Sequence, residues 1–186
     1  MRSETDRDGL AEVWQLIKAT DAQIKETSAE VRETSASLRR LEGLFTSQWG
    51  KMLEALVEPG ALDLFQQRGI DVHRTYRRAE SQVGGATMEI DLLLEDESDV
   101  VAVEVKSMLR VDDVRAFLDD LAEFLRFFPR YRGMTVYGAV AGLTFAEGTD
   151  RFAYRNGLFV LGVTGEGVVR IKNGPGFRPK DFGVSA

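Results

Sequence analysis

The sequence contains no cysteine, one histidine and four prolines. Without cysteine there can be no disulfide and no thiolate metal site. His73 alone cannot build a histidine-cluster zinc site. No apolar run reaches the roughly 18 residues that a transmembrane helix needs, so no membrane is expected as a partner. The segment Met1 to Asp8 is polar and lacks the apolar stretch of a signal peptide. Together these absences point to the cytoplasm and, if a metal is bound, to oxygen ligands. There is also no glycine-rich phosphate loop, since Gly84-Gly85 and Gly165-Glu166-Gly167 read as hairpin turns.

What is present is ordinary in bulk and uneven in detail. The chain has 186 residues, 44% of them hydrophobic, which fits one globular domain plus an extension. A net charge of −6 does not favour a nucleic-acid binder. Basic residues are nevertheless clustered, with Arg68, His73, Arg74, Arg77 and Arg78 in one stretch and Arg126, Arg130 and Arg132 in another. Either is a candidate phosphate-binding patch within an acidic protein, and either could equally be solubilising surface charge.

The first third of the chain is organised by a repeat. Leu10, Ile17, Ile24, Val31, Leu38, Phe45 and Met52 recur every seven residues, with no proline before Pro59. A heptad sustained this long predicts a coiled coil over residues 1–43 and assembly with copies of itself. The other seam position carries Val13, Thr20, Thr27, Thr34, Leu41, Gln48 and Ala55, too weak a set to specify the number of strands. From Leu44 the stripe broadens to Phe45, Trp49, Met52, Leu53, Leu56 and Val57, as in a helix packed on a globular domain. Pro59-Gly60 is expected to break or kink it, with a short helix from Ala61 to Gln67 closed at Gly69.

Residues 44–173 then read as a compact α/β domain, with a loose tail at 174–186. Strands are expected over Val72–Val83, Met88–Leu94, Val100–Met108 and Met134–Leu143, and a last hairpin pairs Leu158–Val163 with Val168–Ile171. An amphipathic helix is expected over Val111–Phe128, stopped by Pro129, and a shorter one over Glu147–Asn156. The order is helix, three strands, helix, strand, helix, strand.

Charges sit in the two most apolar strands. In Met88–Leu94 they are Glu89 and Asp91; in Val100–Lys106 they are Glu104 and Lys106. Val101, Val103 and Val105 point one way, so Ala102, Glu104 and Lys106 point the other. Buried charges must be paired or bind a metal. Two carboxylates and an amine meeting mid-sheet suggest a divalent-metal site with a lysine beside it. An ordinary cross-strand pair is the bland alternative, and the apolar density of both strands argues against it.

This pattern resembles the PD-(D/E)xK nuclease superfamily, whose motif places an Asp on one hairpin strand and Glu/Asp-x-Lys on the next. Here Asp91 is followed by twelve residues and then Glu104-Val105-Lys106, with Ile90 where the motif's proline would stand. The resemblance covers roughly Phe45 to Lys172. It implies a restriction-endonuclease-like αβββαβ core and a Mg²⁺- or Mn²⁺-dependent nuclease, with DNA as the expected substrate. It implies Asp91, Glu104 and the Val105 carbonyl as metal ligands, and Lys106 acting on the attacking water or the phosphate. Glu54, four residues after Gly50, matches the family's further helix acid, ahead of Glu58. Glu89 would be an accessory ligand or a partner for Arg77 or Arg78. Arg74, Arg77 and Arg78 would contact phosphates. The alternative is a non-catalytic coiled-coil protein whose nuclease-like domain binds nucleic acid or a partner.

Overall fold

The computed structural model describes residues 4–164 and 169–184, without the side chains of residues 4–12 and 39–49. Leu10, Leu41, Leu44, Phe45, Gln48 and Trp49 of the repeat and stripe therefore lie outside the described side chains. So does the turn at Gly165-Glu166-Gly167.

Helix α1 runs from Glu4 to Gln66 as one element of 63 residues. The break expected at Pro59 is not there, because the helix continues through it. Leu53, Val57, Ala61 and Phe65 recur every four residues and are all fully buried. Burying a large apolar side chain gains about 1.5–3 kcal/mol, so this stripe exceeds the ~3 kcal/mol that an interior proline costs. The helix ends where Gly69 adopts a left-handed φ of 78°.

Six strands follow: β1 (Arg74–Val83), β2 (Ala86–Glu95), β3 (Asp99–Leu109), β4 (Thr135–Phe145), β5 (Phe159–Val163) and β6 (Val169–Ile171). Helix α2 (Val111–Phe127) separates β3 from β4, and α3 (Thr149–Arg155) separates β4 from β5. The strands lie in sequence order in one sheet. β1, β2 and β3 are antiparallel neighbours, β3, β4 and β5 run parallel, and β6 returns antiparallel. This is a mixed α/β sheet flanked by helices, in the expected element order.

The sheet separates two cores. Leu53, Val57, Ala61 and Phe65 of α1 pack with Val101, Val103 and Val105 on one face. Phe117, Leu121 and Phe124 of α2 and Ala153 of α3 pack with Val100 and Ala102 on the other. With both faces covered, β3 is apolar without alternation from Val100 to Val103.

The tail expected to be loose is tied down. The Asp181 carboxylate accepts the Val136 N–H at 3.0 Å and the Gly183 N–H at 2.7 Å, and the Phe182 N–H donates to Val136 O at 2.8 Å. Phe177 packs edge-on against Phe159. Two aromatic anchors outweigh the local signal of Gly174, Pro175 and Gly176.

Candidate active site at a fork in the sheet

The β2–β3 ladder runs from Glu95↔Val100 to Leu92↔Val103 and stops. The next pair in register would be Asp91 with Glu104. From there β2 stays paired with β1 to Ala86, and β3 stays paired with β4 to Leu109. The two strands part at the charged residues. The Asp91 carboxylate fills the gap, with Oδ2 accepting the backbone N–H of Val105 at 2.8 Å.

Glu104 lies on the opposite strand of the fork, ion-paired to Lys106. Burial, followed by the like charge of Asp91, pushes the Glu104 carboxyl up to about 7, while Lys106 pulls it down. Burial works against the Lys106 ammonium, but the Glu104 carboxylate outweighs it and the pKa rises. Lys106 is therefore a fixed cation at neutral pH. Asp113 and Asp120 of α2 add negative charge on this side.

On the α1 side stands a second set. The Glu54 side chain is only 8% exposed and lies 4.0 Å from Arg78. Burial raises its pKa first and Asp91 second, against Arg78. Arg78 also pairs with Glu89 at 2.6 Å, and Arg77 pairs with Glu58 at 3.2 Å. Glu89 is thus engaged by Arg78, one of the two alternatives open from sequence, and Asp91 is among the charges that raise the Glu54 carboxyl. Arg74 is exposed.

A fault in the strand alternation produces this arrangement. Ile90 packs in the α2-side core and Leu92 in the α1-side core, although residues two apart in a strand share a face. The fault falls at Asp91. Opposite it, Arg78 has φ 51°, the one positive φ at a non-glycine among the described residues. Nothing in the periodicity of Arg74–Val83 announces it beyond two adjacent arginines inside a strand.

Two other groupings were not foreseen from the sequence. Glu95 is buried, and its carboxylate accepts hydrogen bonds from Tyr131, Arg130 at 2.7 Å and Tyr76 at 3.1 Å. Tyr131 is therefore a core residue. Tyr137 is half-buried against Phe159, and Tyr154 packs on Phe177. Asp71, His73 and Asp96 are one trio of metal-capable side chains whose ligand atoms lie within 4.8 Å of one another. His73 is already engaged, with Nε2 3.1 Å from Asp71 and Nδ1 3.2 Å from the Gln66 amide nitrogen.

The fork offers oxygen donors only, in half-buried surroundings, with the Glu104 carboxyl raised by burial and by Asp91. That donor chemistry fits a hard divalent cation such as Mg²⁺ or Mn²⁺.

No protein-family model matches the chain, and no curated protein matches it. Among solved structures, it is similar to a protein of unknown function, with 18% identity and a TM-score of 0.38 over 56% of each chain. It is also similar to a repair endonuclease from Pyrococcus abyssi, with 16% identity and a TM-score of 0.36 over 55% of this chain and 45% of that one. A third is the small subunit of a heterodimeric restriction endonuclease, with 16% identity and a TM-score of 0.32 over 63% of this chain and 72% of that one. The matched region spans about half the length of the first two. Likeness this distant assigns no activity to the chain.

Proposed function

We propose that the chain is a Mg²⁺- or Mn²⁺-dependent nuclease of the restriction-endonuclease-like kind. It hydrolyses phosphodiester bonds of nucleic acid, DNA in the first place, in the cytoplasm, as an oligomer joined through its N-terminal helix. The observation that carries this reading is the fork, where Asp91, Glu104 and Lys106 meet at the point where two paired strands part. A structural ion pair has no need of an interrupted ladder.

Asp91 and Glu104, with the Val105 carbonyl, would hold the divalent ion. The ion supplies positive charge to the phosphate and makes a bound water more acidic. Beside the Glu104 carboxylate the Lys106 ammonium is held in its charged form, so it would act as an electrostatic group. Its ammonium orients the attacking water and faces the oxygen on which charge develops. Glu54 supplies a further carboxylate from α1. Arg74 and Arg77, on the exposed strand β1, meet the phosphate backbone.

The oligomer is supported by the N-terminal helix. Ile17, Ile24, Val31 and Leu38 stand more than half exposed along it. An apolar line of this kind is a liability in water and a seam in a coiled coil. Two joined sites would also suit the cutting of both strands of a duplex.

The test is incubation of the full chain with plasmid, single-stranded and branched DNA, in Mg²⁺ or Mn²⁺ and in chelator. Cleavage that needs the metal and disappears in Asp91→Asn is expected. Nucleic-acid binding without cleavage under every condition would favour the non-catalytic alternative.

A further inference from the structure

Tyr76 is an exposed aromatic ring that the fold holds in place. It stands 40% exposed on β1, an edge of the sheet. Its hydroxyl donates to the buried Glu95 carboxylate at 3.1 Å, and the Arg130 guanidinium lies 5.4 Å from its ring centre. Arg130 is fixed in turn by its ion pair with Glu95 at 2.7 Å. Beside this pair opens a cavity of about 380 Å³, lined by Tyr76, Arg77, Ala79, Leu93, Phe128 and Arg130. Leu93 and Phe128 belong to the α2-side core and give the cavity an apolar floor. A side chain larger than that of Ala79 would close it. Among the described residues that line it, Glu80 is the one acid, against the two cations Arg77 and Arg130. The register sets Tyr76 opposite Leu93, two residues along β2 from Asp91. That is roughly 7 Å along the strands and about 5 Å across them. A stacked nucleic-acid chain, rising about 3.4 Å per nucleotide, spans it in about two to three nucleotides.

We propose that this cavity binds one unpaired nucleobase of the substrate, close to the phosphate that is cut. The inference rests on the nuclease reading above and adds a substrate class to it, nucleic acid with a single-stranded or extruded nucleotide beside the cut. The base stacks against Tyr76 and the Arg130 guanidinium, as bases do on aromatic and arginine platforms. Leu93 and Phe128 cover its apolar surface, and Arg77 meets the phosphate that the nucleotide carries. A base inside a duplex is covered on both faces by its neighbours and does not enter. A ring held at its hydroxyl and beneath a guanidinium has little freedom left to lose on binding, which favours the complex.

Fluorescence anisotropy of the full-length chain in chelator tests this, with a labelled single-stranded DNA oligomer and its fully abasic counterpart of the same length. The two carry the same phosphates and differ only in bases. Wild type should prefer the base-bearing oligomer roughly tenfold, about what one stacked base contributes. Tyr76→Leu removes the ring and Ala79→Leu fills the cavity. Each should bind both oligomers alike, at the affinity wild type has for the abasic one, and that retained binding separates a blocked cavity from a misfolded chain. Tyr76→Phe keeps the ring and should keep most of the preference. A preference unchanged in both Tyr76→Leu and Ala79→Leu would overturn the base site and leave the nuclease reading standing. Equal binding of the two oligomers by wild type would do the same. Displacement of the oligomer by a mononucleotide at equal base concentration would assign the cavity to a free nucleotide and overturn the proposal. Wild type that binds neither oligomer would overturn the nucleic-acid reading itself.

Discussion

The N-terminal helix and the sheet unit break the ordinary rule of burial in opposite directions. Between residues 13 and 38 the helix holds Val13, Trp14, Leu16, Ile17, Ile24, Val31 and Leu38 between 52% and 63% exposed. The sheet unit instead draws Glu54, Glu95 and Glu104 away from water. Neither departure is stable without a counterpart, an apolar surface for the helix and positive charge for the acids. Glu95 shows what a purely structural solution looks like, since two tyrosines and an arginine satisfy it from within the fold. The fork is different. Asp91 and Glu104 repel each other, and Lys106 only partly compensates. The lesson is that a buried charge becomes informative through what it lacks.

The comparison breaks most readily at Lys106. Lys106→Ala should lower metal-dependent cleavage roughly 10²–10³-fold, as expected for a lost electrostatic group facing developing charge. Its Mn²⁺ affinity should stay within a few-fold. Loss of Mn²⁺ binding would mean that Lys106 belongs to the ion's site and not to the phosphate's.

Removing residues 1–40 tests the other side. A folded sheet unit of lower oligomeric state is expected by light scattering, with cleavage reduced more on duplex than on single-stranded DNA. Wild type that scatters as a monomer at tens of micromolar would reject the self-association.

The two kinds of buried acid should part in thermal melting without metal. Glu95→Gln should lose about 1–3 kcal/mol, because satisfied buried partners are left short. Glu104→Gln should gain on the order of 1–3 kcal/mol at pH 8, because an ionisation that the fold opposes is removed. The sign follows from linkage. A carboxyl raised from 4.5 to about 7 favours the fold below 4.5, and that contribution is lost as pH rises through 7. The metal-free chain should therefore weaken from pH 5 to pH 8, and Mn²⁺ should restore more stability at pH 8 than at pH 5. A destabilised Glu104→Gln would place Glu104 with Glu95 among structural acids.

The smallest effect is expected at the strand edge. Neutralising Arg74 and Arg77 together should weaken nucleic-acid binding about uniformly across sequences and flatten the salt slope by about two. An unchanged slope would return both to surface charge or, for Arg77, to its pairing with Glu58.

Most of the element limits were legible. β2, β3 and α2 lie within two residues of the limits that Met88–Leu94, Val100–Met108 and Val111–Phe128 suggest, because burial on one or two faces writes a period into the chain. Pro59 misled for the complementary reason. Its local signal is loud, and the burial of Leu53, Val57, Ala61 and Phe65 that overrides it depends on a sheet distant in sequence. The residue types at the fork were visible as charges in apolar strands, and so was the shared side of Glu104 and Lys106.

By itself, then, the sequence determined the elements, their order, the heptad line and which charges could not sit unpaired in a strand. Those follow from short-range periodicity and the cost of burying charge. Tertiary structure alone decided that β2 and β3 part at Asp91, that Arg78 takes a left-handed turn opposite it, and that Glu54 is buried beside Arg78. It also decided that Glu95 finds two of its three donors 35 and 36 residues away. These depend on where strands stop pairing and on which helix covers which face, and no local pattern encodes either.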